Sequence, residues 1–293
     1  MATEKATFAI TTMARLLDVS TSGYYDWQAR QQAGPSPAQQ RRDALTVQIR
    51  RFHLVSDRVY GSPRICADLR EAGEVVSVKT VAKLMAASGI VGISPRGFTP
   101  PTTLPDPDGH LLPDLVERRF DQGDLNRVWI SDITYLGTDE GFCYLCVVRD
   151  GCSRRVLGWQ IADTLHTDLV EDALTMAHTL RGQLPQQVIF HADRGCQYTS
   201  AQLAKAAKLC GVRQSVGRTG VCFDNAAAES FWSTFKHEYY YRHHWTGLAE
   251  VKRHVPFWLE QRYNRRRRHS SLDMATPVQF ETQHLAQSEG QAA

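Results

Sequence analysis

The chain has 293 residues and a formal net charge of +3, and its 42% hydrophobic and 22% charged residues are typical of a folded globular protein. No stretch approaches the roughly 18 uncharged apolar residues of a membrane-spanning helix, and the first residues lack the layout of a signal peptide. Seven cysteines, an odd number at irregular spacing, favour reduced thiols in a cytoplasm over a disulfide framework.

The charges are unevenly distributed along the chain. Residues 230–270 hold nine Lys and Arg against three Glu, and residues 1–70 hold ten basic against six acidic residues. The remaining residues are therefore net acidic. Basic ends around an acidic middle indicate a protein that binds a polyanion outside and cations inside. Ordinary solvated surface charge is the alternative interpretation.

The first 33 residues predict a helix-turn-helix. A helix with apolar residues at helical spacing is interrupted at Asp18–Ser20, and a second short helix then carries Tyr24 and Trp27. The stretch Gly34–Pro37 breaks this pattern and is predicted to be a linker.

Residues 38–93 predict a small helical unit. Ser62 and Pro63 look like a cap and a first helical position, while Ser77 would cap a last helix that Gly89 ends. Basic side chains on its outside favour a DNA-binding domain over a plain helical adaptor. The candidate DNA contacts in this unit are Arg64, Lys79 and Lys83.

Prolines then mark a linker over residues 94–124, after which the pattern changes to strands and helices. The predicted strands and helices are Val128–Leu136, Phe142–Val148, Arg155–Ile161, Thr167–Leu180, Gln187–Phe190, Ser200–Cys210, Val212–Ser215 and Asn225–His237. Their order, β-β-β-α-β-α-β-α, is that of an α/β ribonuclease H-like fold, a mixed sheet flanked by helices. We assign residues 125–245 to this core, 246–282 to a basic helical extension and 283–293 to a tail.

Three carboxylates in this core are candidates for chemistry. Asp132 lies inside an apolar strand, where a charge is costly unless a cation or donor meets it. Asp193 follows a strand's carboxyl end, a common ligand position, although Asp-Arg-Gly could simply form a turn. Glu229 lies on a helix face with Asn225 and Lys236, and the alternative for it is a solvated face. Strand, strand end and helix converge in this fold, so the three could ring one pocket suited to Mg²⁺.

Other readings of the chemistry are weaker. Cys143 and Cys146 have a zinc-like spacing, but residues three apart on a strand face opposite sides. His191 could be a catalytic base, a partner of a metal ligand or a hydrogen-bonded structural residue. The tryptophans of the core are assigned to packing, with Trp232 the one candidate for stacking on a base.

The catalytic half resembles the integrase core of bacterial insertion-sequence transposases, whose active site is Asp, Asp and, after 35 residues, Glu. The matching stretches are VWISDITYLG, GFCYLCVVRDGCSRRVLGW, HADRGCQYTS, DNAAAESFWSTFKHE and YNRRRRHSSL. Residues 194–228 supply the 35-residue spacing, and YGSPRICADLR with VKTVAKLMAASGI resembles the preceding helical domain. The likeness covers nearly the whole chain and is to the second-frame product of two-frame elements. Pro256 departs from a single straight C-terminal helix, because proline kinks or splits helices.

The resemblance implies a DDE-type polynucleotidyl transferase of the bacterial cytoplasm and nucleoid. Two Mg²⁺ ions, for which Mn²⁺ can substitute, would support DNA strand cleavage and 3′-hydroxyl transfer. The expected partners are the double-stranded element ends and target DNA, further copies of the chain and a possible upstream-frame fusion. The expected DNA contacts of the core are Lys236, Asn225, Arg262, Arg265, Arg266, Arg267 and Arg268.

Two rival functions remain open at this stage. One is a catalytically silent DNA-binding or assembly protein on the same fold. At least one of the three carboxylates should then be missing or displaced, but all three are present in the sequence. A nuclease that cuts without joining is disfavoured by the basic helical unit, which would serve to recognise element ends.

Overall fold

A computed structural model describes residues 1–94, 112–184, 187–217 and 226–292 of the chain. The chain divides into two compact units, Met1–Gly92 and Ile93–Ala293. None of the described helices combines the length and the apolar character that crossing a bilayer requires.

The first unit is helical. Its helices are α1 (Ile10–Leu16), α2 (Thr21–Gln32), α3 (Pro37–Val55), α4 (Ser62–Glu71) and α5 (Val78–Ala87). Ser77 caps α5 by accepting a hydrogen bond from the Thr80 N–H, as predicted. The predicted linker at Gly34–Pro37 is wrong in part, because Ser36 caps α3 and Pro37 is its first residue. Ser62 is not a cap, since α4 already begins there.

The core of this unit forms where α3, α4 and α5 meet. Ile49, Ile65, Leu69 and Val81 are each fully buried. At the end of α5, Gly89 adopts φ +66°, which lets the Ile90 N–H donate back to the Met85 carbonyl oxygen at 2.9 Å.

The second unit is built on one five-stranded sheet. Its strands are β1 (Val128–Thr138), β2 (Gly141–Asp150), β3 (Val156–Ala162), β4 (Val188–Ala192) and β5 (Val212–Val216). Their spatial order is β3-β2-β1-β4-β5. β2 is antiparallel to both of its neighbours, β1 and β3, whereas β4 and β5 are parallel to β1. The order of strands and helices along the chain is the one that the sequence predicts.

Helices cover both faces of this sheet. They are α6 (Asp168–Arg181), α7 (Ala201–Leu209), α8 (Ala226–Glu238) and α9 (Leu248–Phe257), and the last helix of the unit is α10 (Pro277–Ala292). One apolar core joins the sheet to α6 and α7, and another joins its opposite face to α8 and α9. Cys146 belongs to the first core and Cys143 to the second, so the two thiols face opposite sides, as predicted.

Helical spacing in α6 predicts one apolar face, and the structure confirms it in part; its predicted residues are Leu169, Ala173, Met176 and Leu180. Leu169 and Ala173 are buried, together with Val170, Leu174 and Ala177, whereas Leu180 is 46% exposed. The helix lies so close to β3 that a Cβ added to Gly158 would meet an α6 carbonyl oxygen at 2.1 Å. This close contact selects the stripe of α6 that faces the sheet.

The segment after α8 completes the second core. Pro256 lies inside α9, and the chain then turns through a π-helical segment, Trp258–Tyr263, so this region is not one regular α-helix. Asn264 accepts a hydrogen bond from the Val156 N–H and donates one to its carbonyl oxygen, each at 2.9 Å. The side chain thus satisfies the edge of β3 as a neighbouring strand would. Residues 283–292, predicted to be a tail, continue α10.

Most of the predicted linker, residues 95–111, lies outside the described residues. Its described end contacts the sheet unit, since the Leu115 N–H donates to Ser215 Oγ at 2.9 Å and Val116 is fully buried.

Candidate active site

Asp132 lies on the face of β1 that α8 covers. Val128 and Ile130, four and two residues earlier, pack with Ala227 and Ala228 at the start of α8, and side chains two apart on a strand share a face. The Asp132 carboxylate accepts hydrogen bonds from the Trp232 indole at Oδ2 and from the Ile133 N–H at Oδ1, each at 2.9 Å. The half-buried carboxylate is therefore held between a strand and a helix.

Asp193 comes directly after β4, the parallel neighbour of β1. The β1–β4 ladder pairs Ile130 with His191, which lie two residues before Asp132 and Asp193 respectively. Neighbouring strands lie about 4.8 Å apart, so a register that continued for two more residues would place the two aspartates side by side. Asp193 Oδ1 accepts a hydrogen bond from the Gly195 N–H at 3.0 Å, while burial raises the pKa of Asp193 above its ordinary value.

The two aspartates also influence the same buried groups. Burial raises the pKa of the Cys146 thiol to about 12, and the charges of Asp132 and Asp193 both add to this increase. Burial likewise raises the pKa of Tyr198, and the same two carboxylates contribute. Cys146 Sγ and the Tyr198 hydroxyl lie 3.8 Å apart, so one buried polar cluster experiences the negative charges of both aspartates.

Glu229 lies on α8, three residues before Trp232 and seven before Lys236. Residues at these spacings share a helix face. Burial lowers the pKa of Lys236, and the charge of Asp132 opposes this decrease, so Lys236 lies within electrostatic range of Asp132. The Glu229 side chain itself is exposed.

The described residues contain no group of three or more His, Cys, Asp or Glu side chains arranged to hold a metal ion. Asp132 lies on β1, Asp193 lies directly after the neighbouring strand β4, and Glu229 lies on α8.

Two further residues near the site are structural in character. His191 is buried, its Nδ1 lies 2.9 Å from Ser215 Oγ, and its ring packs edge-on against Phe120. Trp232 is only 8% exposed, so it offers no free face for stacking on a base. Asn225 lies outside the described residues.

The arginine run after the core is not uniform. Arg265 and Arg266 are exposed, whereas Arg262 and Arg268 are half-buried. Arg267 is 7% exposed and binds Glu238 through two hydrogen bonds of 2.7 Å. The expected DNA contact at Arg267 is therefore wrong, because its guanidinium is occupied inside the protein.

The candidate contacts of the first unit lie on its last two helices. Lys79 and Lys83 are exposed on α5. Arg64 is half-buried on α4, and its guanidinium lies over the Tyr60 ring at 5.4 Å from the ring centre.

Comparison with known proteins identifies the family. The family model described as "Integrase core domain" matches residues 124–222, a second model of that description matches 210–277, and an "HTH-like domain" matches 40–98. Transposase InsF for insertion sequence IS3A of Escherichia coli K12 is 38% identical over 96% of this chain and 97% of that protein. This chain belongs to the IS3 family of insertion-sequence transposases.

A second relative agrees with this assignment, since a putative transposase for IS986/IS6110 of Mycobacterium tuberculosis is 34% identical over 94% of this chain and 100% of that protein. The family models and the order of the sheet give the transposase a ribonuclease H-like integrase core preceded by a helix-turn-helix-like domain. Among solved structures, the catalytic domain of Mos1 mariner transposase matches at a TM-score of 0.37 and 14% identity, covering 46% of this chain and 70% of that one.

Sequence reasoning missed several residues that build the transposase site. Ser131 Oγ lies 3.0 Å from the Tyr198 hydroxyl on the face opposite Asp132, which ties β1 to the loop after Asp193. The strand alternation places Ser131 on that face, but no sequence signal identifies Tyr198 as its partner. For Trp232, which donates to Asp132, the sequence did offer a signal, because it lies three residues after Glu229 and so on the same face of α8.

Proposed function

We propose that this transposase is a DDE-type polynucleotidyl transferase that cleaves DNA strands and transfers the resulting 3′-hydroxyl, with Asp132, Asp193 and Glu229 as its catalytic residues. The observation that supports the proposal is the β1–β4 register, which pairs Ile130 with His191 two residues before each aspartate, with Ile130 packed against the start of α8. Glu229 on that helix supplies the third carboxylate.

The residues present suit divalent cations. The burial that raises the pKa of Asp193 reflects the cost of an enclosed negative charge, and a bound cation would offset that cost. Each carboxylate oxygen has two acceptor positions, so hydrogen bonding at Asp132 still leaves capacity for a ligand bond. An all-oxygen donor set favours Mg²⁺, and Mn²⁺ accepts the same ligands.

Two ions held by the three carboxylates with DNA bound would activate the attacking oxygen and stabilise the leaving oxygen. In the first step, the water oxygen forms a bond to phosphorus and the bond to the 3′-oxygen breaks, leaving a 3′-hydroxyl. In the second step, that hydroxyl forms a bond to another phosphorus and displaces a second 3′-oxygen. Both steps are direct displacements without a covalent enzyme–DNA intermediate.

The protein's cations would hold the DNA in place. Lys236 lies within electrostatic range of Asp132, where its ammonium would bind a non-bridging oxygen of the scissile phosphate. Arg265 and Arg266 are exposed and would neutralise backbone phosphates, with Arg262, Arg268 and Asn225 as further contacts.

The helical unit would recognise the element ends. Its exposed Lys79 and Lys83 lie on α5, the second helix of the α4–α5 pair, which in a helix-turn-helix enters the major groove. Arg64 at the start of α4 would contact the backbone beside it. Because two element ends must meet, we propose that the chain works as a multimer on DNA, alone or as a fusion with an upstream-frame product.

Strand transfer with the full chain tests the proposal. Asp193→Asn should abolish Mg²⁺-dependent cleavage of a duplex that carries the element end, while its affinity for that duplex stays within twofold of wild type. Full activity in this variant would refute the assignment. Wild-type protein that joins 3′ ends excludes the simple nuclease, and wild-type protein that binds without cleaving supports the silent assembly protein.

A further inference from the structure

Trp232 makes a direct side-chain contact with the proposed catalytic site. Its indole N–H donates to Asp132 Oδ2 at 2.9 Å across the junction of α8 and β1. The indole N–H can only donate, so the carboxylate is always the acceptor in this hydrogen bond, and the contact favours one orientation of the carboxylate.

The Asp132 carboxylate is oriented at both oxygens. Oδ1 accepts from the Ile133 N–H of the strand, and Oδ2 accepts from the helix. The backbone donor belongs to the residue next to Asp132, whereas the indole belongs to a different element and fixes the second oxygen relative to α8. Removing the indole N–H would therefore loosen the hold of α8 on the Asp132 carboxylate.

The indole itself is rigidly supported. Trp232 is 8% exposed, and its ring packs edge-on against Phe231 at 4.8 Å and Phe235 at 6.1 Å between ring centres. Both phenylalanines are buried in the core between the sheet and α8. The donor is therefore held by packing before any ligand arrives. The same contact fixes α8 against β1 one helical turn from Glu229.

We infer that Trp232 is a positioning residue that orients Asp132 for divalent-cation binding. This inference rests on the proposed function. A side chain that hydrogen-bonds to a metal ligand typically changes metal affinity about 10–100-fold when it is removed.

The chain offers a matched control for this role. Trp245 belongs to the same apolar core, and its indole N–H donates to the Tyr240 carbonyl oxygen at 2.9 Å rather than to a carboxylate. Trp232→Phe and Trp245→Phe thus each remove one indole hydrogen bond from one core. Only the first removes a bond to Asp132.

Electron paramagnetic resonance can measure the affinity of the full chain, bound to element-end DNA, for Mn²⁺. This measurement tests the role of Trp232 without relying on catalysis. Trp232→Phe should weaken Mn²⁺ binding about 10–100-fold and raise the Mg²⁺ concentration for half-maximal cleavage in parallel. Trp245→Phe should change both values less than twofold. Equal Mn²⁺ affinity in wild type and Trp232→Phe, or equal losses in the two variants, would overturn the inference.

A second variant keeps the test decisive if Trp232→Phe does not fold. Site-specific replacement of Trp232 by benzothienylalanine keeps the ring shape and exchanges only the N–H for sulfur, and it should weaken Mn²⁺ binding to the same extent. Unchanged Mn²⁺ affinity in that protein overturns the inference while leaving the proposed function intact. Wild-type cleavage that needs no divalent cation would instead refute the proposed function.

Discussion

Arg267 and Arg265 are two residues apart in one basic run, and the structure predicts opposite consequences for their removal. Arg267 is 7% exposed and Glu238 is 5% exposed, and two hydrogen bonds of 2.7 Å join the guanidinium to the carboxylate. Arg265 is exposed. Arg267→Ala therefore leaves a buried carboxylate without its main cation, whereas Arg265→Ala removes only a solvated charge.

The expected magnitudes follow from this difference. Breaking a buried ion pair on one side destabilises a protein by about 3–5 kcal/mol. For a unit of this size each kcal/mol lowers Tm by about 2–4 °C, so Arg267→Ala should lower Tm by roughly 6–20 °C. Arg267→Lys keeps the charge but loses the bidentate geometry, so it should lower the stability less than Arg267→Ala does. Arg265→Ala should stay within about 0.5 kcal/mol of wild type.

Thermal unfolding of the full chain, followed by tryptophan fluorescence, measures these differences, because all tryptophans except Trp27 lie in the second unit. The salt dependence of DNA binding supplies the complementary assay. Arg265→Ala should reduce the slope of log affinity against log salt by about 0.9. If Arg267→Ala unfolds with wild-type Tm and shows this reduced slope instead, then Arg267 is a DNA contact and its structural assignment fails.

Three further predictions concern stability and thiol reactivity. Burial acts to raise the pKa of Glu281, but hydrogen bonds, chiefly the one from Arg181, hold the pKa below its ordinary value of 4.5. Glu281→Gln should therefore lower the free energy of unfolding by about 1.5–3 kcal/mol at neutral pH. This difference from wild type should vanish as the pH falls through the pKa of Glu281 in the folded protein. Gly158→Ala should destabilise the second unit by about 1–3 kcal/mol in urea unfolding, because the added Cβ meets α6 backbone. Iodoacetamide at pH 8 should modify the exposed Cys196 long before Cys146, whose burial raises its pKa to about 12, as measured by peptide mass mapping.

Each of these has a control or a contrary outcome. A Glu281→Gln stability deficit that persists unchanged at pH 2 would contradict the charge-based origin. Gly137→Ala, whose added Cβ meets only a Phe142 ring carbon at 3.7 Å, serves as the matched control for Gly158→Ala and should leave the closely packed α6–β3 contact intact. Alkylation of Cys146 and Cys196 at equal rates in the folded chain would contradict the burial of Cys146.

The general architecture was predictable because it depends on local patterns. The apolar run around Asp132 and the short run before Asp193 predict strands, and their topology brings the two aspartates to adjacent strands. Helical spacing likewise predicts that Phe231 and Phe235 face the sheet, and both are buried there.

The remaining features depend on partners that are distant in the chain. Arg267 looks like its neighbours in sequence, and only the approach of Glu238, 29 residues earlier, makes it structural. Leu180 continues the apolar stripe of Leu169 and Ala173 on α6, yet those two residues are buried and Leu180 is 46% exposed. The spacing of Trp232 places it near Glu229, but the bond to Asp132 requires the folded junction of α8 and β1.

Anomalous scattering from Mn²⁺ in a crystal of the full chain with element-end DNA tests the shared metal site most directly. Mn²⁺ peaks should lie at roughly 2.0–2.3 Å from carboxylate oxygens of Asp132, Asp193 and Glu229, close to the distances of Mg²⁺ sites. Peaks bound elsewhere, or a Glu229 carboxylate that stays out of reach of ions bound to the two aspartates, would contradict the DDE assignment.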